Sequence, residues 1–286
     1  MPLGAHMSIA GGLDKSVARG GSIGCETIQI FTKSNQQWRS KPLEADDVAR
    51  FQAARAASGI DPIFAHAAYL INLAAPDDDA WDKSLESFIM EVGRCATLKL
   101  PFIVVHPGAH GGAGEDTGLS RVTRALDECF TRHQDDQVTV LLEITAGQGS
   151  SVGYKFEHLA VIMERCLYPE RLGICFDTCH AFAAGYDLRT PEGYEQTIAS
   201  LDRLVGLEHL KAIHLNDSLG DLGGHLDRHA HIGMGKLGLE AFRLLLNDPR
   251  LKRLPMVLET PKGPDMKEDV ANLSTLRNLR VMSDED

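Results

Sequence analysis

Eight short apolar runs, spaced along the chain and separated by helical patterns, constrain this sequence more than any other feature. They are PLGAH near the N-terminus, ETIQIFT at 26–32, PIFAH at 62–66, FIVVH at 102–106, VTVLLE at 138–143, LGICFD at 172–177, LKAIHL at 210–215 and PMVLE at 255–259. Their apolar residues are continuous rather than alternating, as in strands buried on both faces of a parallel sheet. The clearest helical pattern between them is DAWDKSLESFIMEVGRCATLKL, where Trp81, Leu85, Phe88, Ile89, Val92 and Leu98 recur on one face. DDVARFQAARAA, FEHLAVIMERCL, YEQTIASLDRLV and LEAFRLLLN follow the same period. Strand and helix repeated eight times predict an α/β fold: a single (β/α)8 TIM barrel spanning 1–286, near the roughly 250 residues typical of that architecture. No Ser/Pro-rich linker divides the chain, and the terminal MSDED reads as a solvated acidic tail.

What ends each run carries the functional signal. PIFA ends in His66, FIVV in His106, TVLL in Glu143, GICF in Asp177 and MVL in Glu259, while KAI runs into His214. Strand C-termini of a barrel converge on one face, and that face holds the active site. Any one such residue is readily a polar strand end meeting solvent; six in phase are not. Two motifs extend the set. In CFDTCH, Asp177 and His180 lie three apart where a strand becomes a loop. In HLDRHAH, Asp227 and His229 are two apart, so an extended segment points both side chains the same way. The second motif lies in SLGDLGGHLDRHAHIGMG, a Gly-rich loop long enough to fold over the barrel mouth.

Composition narrows the partners. Twenty-nine Lys and Arg against 40 Asp and Glu give a formal net charge of -11, which argues against indiscriminate coating of nucleic acid or of an anionic membrane. The N-terminus lacks a signal-peptide pattern, and no run approaches the roughly 18 apolar residues of a spanning helix. Six cysteines form no CxxC pair and read as reduced, buried small hydrophobes. The expectation is a cytoplasmic protein without a membrane partner.

The candidates His66, His106, Glu143, Asp177, His180, His214, Asp227, His229 and Glu259 comprise five imidazoles and four carboxylates. That set suits zinc or manganese better than an Fe–S cluster or copper(I), and nine ligands suffice for two or three ions if a carboxylate bridges two. Such clusters perform in-line displacement at phosphorus.

At this point a resemblance becomes plain. GAHMSIAGGL, the TK…QWR stretch, AHAAYLINLA, VHPGAH, LEITAGQGS, KFEHLA, CFDTCHAFAAGYDLRTP, HLNDS, DRHAHIGMG and the final LET make the chain similar, nearly end to end, to the endonuclease IV family. These are zinc-dependent apurinic/apyrimidinic endonucleases of DNA base-excision repair. The resemblance implies three zinc ions, with manganese able to replace part of them. His66, His106 and Glu143 would hold the first, and Glu143 would bridge to a second completed by Asp177, His214 and Glu259. His180, Asp227 and His229 would hold the third.

The implied reaction is hydrolysis 5′ to an abasic nucleotide in double-stranded DNA, leaving a 3′-hydroxyl and a 5′-deoxyribose phosphate. Glu143 and Glu259 would be catalytic by orienting the attacking water. An abasic nucleotide is cheap to flip out because it lacks a stacked, paired base. Tyr69 and Leu70 would act as a minor-groove wedge, and Lys33 and Arg39 as phosphate contacts. One departure stands in FTKSNQQWRS: Gln36 occupies a position where the family often has arginine, and an amide supplies neither charge nor guanidinium stacking. His6 is left outside the ligand set. His110, His225 and His231 are candidates for supporting ligands, and His133, His158 and His209 are ordinary surface or core histidines. The expected state is a monomer.

Two alternatives stand beside this reading. A sugar isomerase or epimerase on the same barrel needs one or two divalent ions and a proton shuttle, leaving Asp227 and His229 superfluous. A damage-binding protein without turnover would have to lose catalysis while keeping every ligand.

Overall fold

A computed structural model describes residues 1–281; the acidic tail at 282–286 lies outside the described residues. The strands are β1 (Leu3–Met7), β2 (Thr27–Ile30), β3 (Ile63–His66), β4 (Phe102–Val105), β5 (Thr139–Glu143), β6 (Leu172–Asp177), β7 (Leu210–His214), β8 (Asp217–Ser218), β9 (His229–Ala230) and β10 (Met256–Leu258). Eight close into a parallel barrel in the order β1-β10-β7-β6-β5-β4-β3-β2, and β8 pairs antiparallel with β9 outside it. The helices are α1 (Leu13–Ser22), α2 (Ala45–Ser58), α3 (Asp78–Thr97), α4 (Glu115–Arg132), α5 (Phe156–Arg165), α6 (Thr178–Ala184), α7 (Pro191–Leu204), α8 (Gly238–Leu246) and α9 (Lys267–Leu279). This is the (β/α)8 arrangement expected from the sequence.

Local chemistry sets the helix ends. The Asp77 carboxylate accepts from the Ala80 N–H at 2.9 Å and caps α3, whose buried face carries Trp81, Leu85, Phe88 and Val92. Thr190 caps α7 in the same way with Pro191 at the first helical position. Four helices were not expected from the sequence. α1 ends in a Gly-Gly pair, α4 opens with the polar EDTG, α9 is mostly polar, and α6 is buried through nearly its whole length.

The barrel interior explains the position of the site. Phe64, Val104, Leu141, Cys175, Ala212 and Val257 form a buried apolar layer inside the barrel, one residue from each of six strands. Side chains alternate faces along a strand, so the next inward-pointing position is two residues further on. Those positions are His66, His106, Glu143, Asp177, His214 and Glu259. The same step leads from Gly4 to His6 on β1 and from Thr27 to Gln29 on β2, and His6 and Gln29 are register partners. β1 and β2 approach closely here: a Cβ on Gly4 would come 1.6 Å from the Thr27 carbonyl oxygen, so only glycine fits. The opposite strand faces, with the helices, form the larger apolar shell, and all six cysteines are free and buried.

Candidate metal centre

Glu143, at the end of β5, lies at the middle of the mouth with no solvent exposure. Its Oε2 is 3.0 Å from His66 Nε2 and 3.0 Å from His106 Nε2. Its Oε1 is 3.0 Å from His214 Nδ1 and 3.2 Å from His180 Nδ1. His214 Nδ1 also lies 3.1 Å from Glu259 Oε2 and 3.7 Å from Asp177 Oδ2. Three groups result: His66, His106 and Glu143; Glu143, Asp177, His214 and Glu259; and His180, Asp227 and His229. Within each, the potential ligand atoms lie within 4.8 Å of one another. Asp177 and His229 also come this close to Cys179, a thiol that burial pushes up to about 12.

The third group depends on loop construction. Asp177 ends β6 and caps α6, its Oδ1 accepting from the His180 N–H at 2.8 Å, which places His180 on the first turn of that helix. His229 is held on β9, whose partner β8 contains the buried Asp217. The Asp217 carboxylate accepts N–H bonds from Ser218, Gly233, Gly235 and Leu237 at 2.8–3.0 Å, pinning both ends of the long Gly-rich loop. The loop tip is tied to the chain after β5. His225 Nδ1 donates to the Ala146 carbonyl at 2.8 Å, and the Asp227 N–H donates to Gln148 Oε1 at 3.0 Å.

Tautomers follow from acceptor-only partners. His66 Nδ1–H donates to the Ala67 carbonyl at 2.6 Å, and His229 Nδ1–H to the Glu259 carbonyl at 3.2 Å. His180 Nδ1 lies 3.0 Å from the Ile144 carbonyl. Each arrangement turns Nε2 toward the mouth, the usual orientation of a metal-binding imidazole. His229 Nε2 is buried without a hydrogen-bond partner, and the buried His180 Nε2 lies 3.2 Å from Asp227 Oδ1. Buried imidazole nitrogens converging on Asp227, one of them orphaned, within a set that needs no thiolate, fit divalent cations such as zinc or manganese.

The electrostatics agree. Burial disfavours charge on His66, His180 and His214, but the surrounding acidic groups, Glu143 prominent among them, outweigh it and hold all three above the ordinary imidazole range. Burial likewise opposes ionisation of Glu143 and Glu259, yet the facing histidines, His106 for the first and His214 for both, keep them well below the carboxylate range. The mouth therefore holds buried carboxylates paired with imidazoles, whose protons a divalent cation would replace.

The structure brings all nine candidate ligands together. Tyr69 is 61% exposed and Leu70 37%, both on the loop after β3, and the Tyr69 ring centroid lies 5.5 Å from that of His66. Tyr69 borders a cavity of about 250 Å³ lined also by Asn72, His106, Gln148 and Asp227. A larger hollow of about 810 Å³ lies at the opposite end of the barrel among strand starts such as Pro62, Pro101 and Pro255, away from every ligand candidate. Gln36 and Arg39 are exposed on the loop after β2. Lys33 departs from expectation. Its ammonium is buried 3.0 Å from the buried Glu91 carboxylate on α3 and also donates to the Gln37 carbonyl. It therefore braces this loop from beneath instead of presenting charge at the surface.

Sequence reasoning missed three residues. Gln29 contacts both His214 and Glu259. Asn216 donates to Asp177 Oδ2 at 2.7 Å and accepts from the Glu259 N–H at 2.9 Å. Asp217 anchors the loop. Strand alternation would have found Gln29, two positions past Thr27 in β2; Asn216 and Asp217 gave no periodic signal.

A closed barrel whose mouth gathers clustered imidazoles and carboxylates defines a known class, and residues 17–278 match the xylose isomerase-like TIM barrel family. Within that class the chain belongs to the endonuclease IV family. It is 56% identical over 276 residues to a probable endonuclease 4 of Chloroflexus aggregans, covering 96% of each chain. It is 50% identical over 277 residues to a probable endonuclease 4 of Geobacter sulfurreducens, covering 97% of this chain and 94% of that one. Endonuclease IV from Thermus thermophilus superposes with a TM-score of 0.87 at 38% identity, covering 98% of both. A D-tagatose 3-epimerase-like protein shares the fold, with a TM-score of 0.73 at 19% identity over 98% of both chains.

Proposed function

We propose that this protein is a DNA-repair endonuclease that hydrolyses the phosphodiester 5′ to abasic sites in double-stranded DNA, leaving a 3′-hydroxyl and a 5′-deoxyribose phosphate. The observation that carries this reading is the triple grouping of ligand atoms around Glu143, set beside the exposed Tyr69 and Leu70. The nine ligands would hold three zinc ions in the grouping described, with manganese serving at part of the site. When bound, these ions supply Lewis-acid stabilisation of charge on the phosphodiester during in-line displacement.

The chain's own residues do the rest. Glu143 and Glu259 orient the attacking water and are the proposed catalytic residues. Tyr69 and Leu70 wedge the duplex so that the base-free sugar turns into the cavity, with Gln36 and Arg39 as further DNA contacts on the neighbouring loop. Being base-free, that nucleotide is cheaper to extrude than a paired one. The epimerase alternative leaves Asp227 and His229 without work, and a binder without turnover has no reason to keep the set intact. Among the described residues no helix is long and apolar enough to cross a membrane; a cytoplasmic monomer is part of the proposal.

Incubation with a duplex bearing one abasic site should give a single cut 5′ to the lesion, abolished by a strong chelator and restored by zinc. A metal count should return about three ions per chain. Absence of cleavage by the metal-replete protein, or one ion per chain, would refute the reading.

A further inference from the structure

We infer that Gln29 is a positioning residue for the mouth: it sets the tautomer of His214 and the carboxylate rotation of Glu259. The inference rests on the metal-dependent reading above and extends it to a residue with no ligand chemistry of its own.

Gln29 has no solvent exposure and points from β2 into the same layer as the ligands. Its amide is fully used. Nε2 lies 2.6 Å from Glu259 Oε1 and 2.9 Å from His6 Nδ1, and Oε1 lies 2.8 Å from His214 Nε2. The Glu259 contact decides which way the amide faces, because a carboxylate oxygen at that distance requires a donor. The –NH2 group must therefore face Glu259, and the carbonyl oxygen must face His214. An oxygen accepts only from N–H, so His214 carries its proton on Nε2. Its Nδ1 faces Glu143, Glu259 and Asp177, and is the nitrogen left to bind an ion once it gives up its proton.

The second amide N–H requires His6 Nδ1 to accept. His6 then carries its proton on Nε2, a buried atom without a hydrogen-bond partner. One amide thus hands a fixed orientation to two members of the second ligand group and holds Glu259 Oε1 back, leaving Oε2 for the site. Outer contacts of this kind on a metal-binding histidine commonly change metal affinity by about 10–100-fold.

The test compares the zinc-loaded wild type with Gln29→Met, which preserves length and removes every hydrogen bond, and with Gln29→Glu, which retains an acceptor for His214 but sets a carboxylate against Glu259. Long-range ¹H–¹⁵N imidazole spectra of the wild type should show His214 protonated at Nε2. Dialysis against graded chelator should remove one ion per chain from Gln29→Met at about 10–100-fold lower chelator than from wild type, the other ions being retained. Gln29→Glu should lose the same ion with the His214 tautomer unchanged. In both variants kcat should fall while KM for the abasic duplex stays constant.

A His214 protonated on Nδ1 would overturn the inference, and so would a Gln29→Met protein with wild-type resistance to chelator. If Gln29→Met does not fold, the wild-type spectrum decides alone. A wild type that takes up no ions would be recognised separately, since it overturns the parent reading and this inference with it.

Discussion

Glu143 meets two imidazoles with one oxygen and two with the other, so it joins groups that would otherwise be separate. Glu259 serves only one group, which makes it the cleaner residue to change. In Glu259→Gln, the side-chain oxygen can still accept from Gln29, and the Asn216 contact to the backbone N–H is unaffected. The melting temperature should stay near wild type while cleavage falls by about 100-fold or more, since losing a ligand costs at least as much as losing a ligand's support. A melt and a cleavage assay on the same preparation check this, and retained turnover would contradict the role.

The nine ligand candidates were legible at this scale because most terminate apolar runs, where a charged residue stands out. Gln29 was not, because it is uncharged and lies between Ile28 and Ile30 inside a run. Lys33 was misread because the partner that buries it, Glu91, comes from α3, and no local pattern links the two. The depth of a lone cation is set by tertiary contacts.

Loops and helices carry the support that the strands do not. Asp217 bonds to four N–H groups of the Gly-rich loop that presents Asp227 and His229, and the approach is close: a Cβ on Gly235 would lie 2.4 Å from Asp217 Oδ1. Asp217→Ala strands those donors and should cost on the order of 3 kcal/mol in a chemical-denaturation measurement. It should also release the ion of the third group while the other two persist, as a metal count would show.

A second tie joins α4 to the chain before α5. Glu115 accepts from Tyr154 Oη at 2.6 Å, pairs with Lys155 at 3.2 Å and lies 3.1 Å from His158 Nε2. The Tyr154 hydrogen bond and its basic neighbours depress the Glu115 carboxyl from 4.5 to about 2. A depressed carboxylate stabilises the fold fully above its unfolded value and loses that contribution as pH falls through the folded value. Melts between about pH 5 and pH 2 should therefore decline less steeply for Glu115→Gln than for wild type. Parallel declines would remove the tie from the account. The eight barrel strands were readable from their continuous apolar runs and five of the helices from their period. α6 was not, because it is buried on nearly all sides and shows no polar stripe.

The acidic balance of the whole molecule and the proposed chemistry bear on each other. Three divalent ions would bring the formal charge from -11 to -5 and place positive charge at the mouth, where a phosphate must sit. Without ions, protons are the cations available to Glu143, Glu259 and Asp227, which is why His66, His180 and His214 sit above the ordinary imidazole range despite burial. The sign of the pH dependence follows. A histidine whose folded pKa is raised stabilises the fold fully below its unfolded value of about 6.5, and that contribution is lost as pH rises through the folded value. Metal binding runs the other way, since an imidazole ligand must be deprotonated and affinity grows with pH. Bound ions also stabilise the fold by an amount that grows with the logarithm of free ion concentration relative to its dissociation constant. The gap in melting temperature between zinc-loaded and metal-stripped protein should therefore be small near pH 5 and widen steadily toward pH 8, the stripped protein losing stability across that range. Paired thermal melts at fixed free zinc measure the gap directly. A gap that stays constant with pH would mean that protons and ions do not compete for these imidazoles, and the cluster would lose its claim to be the metal site.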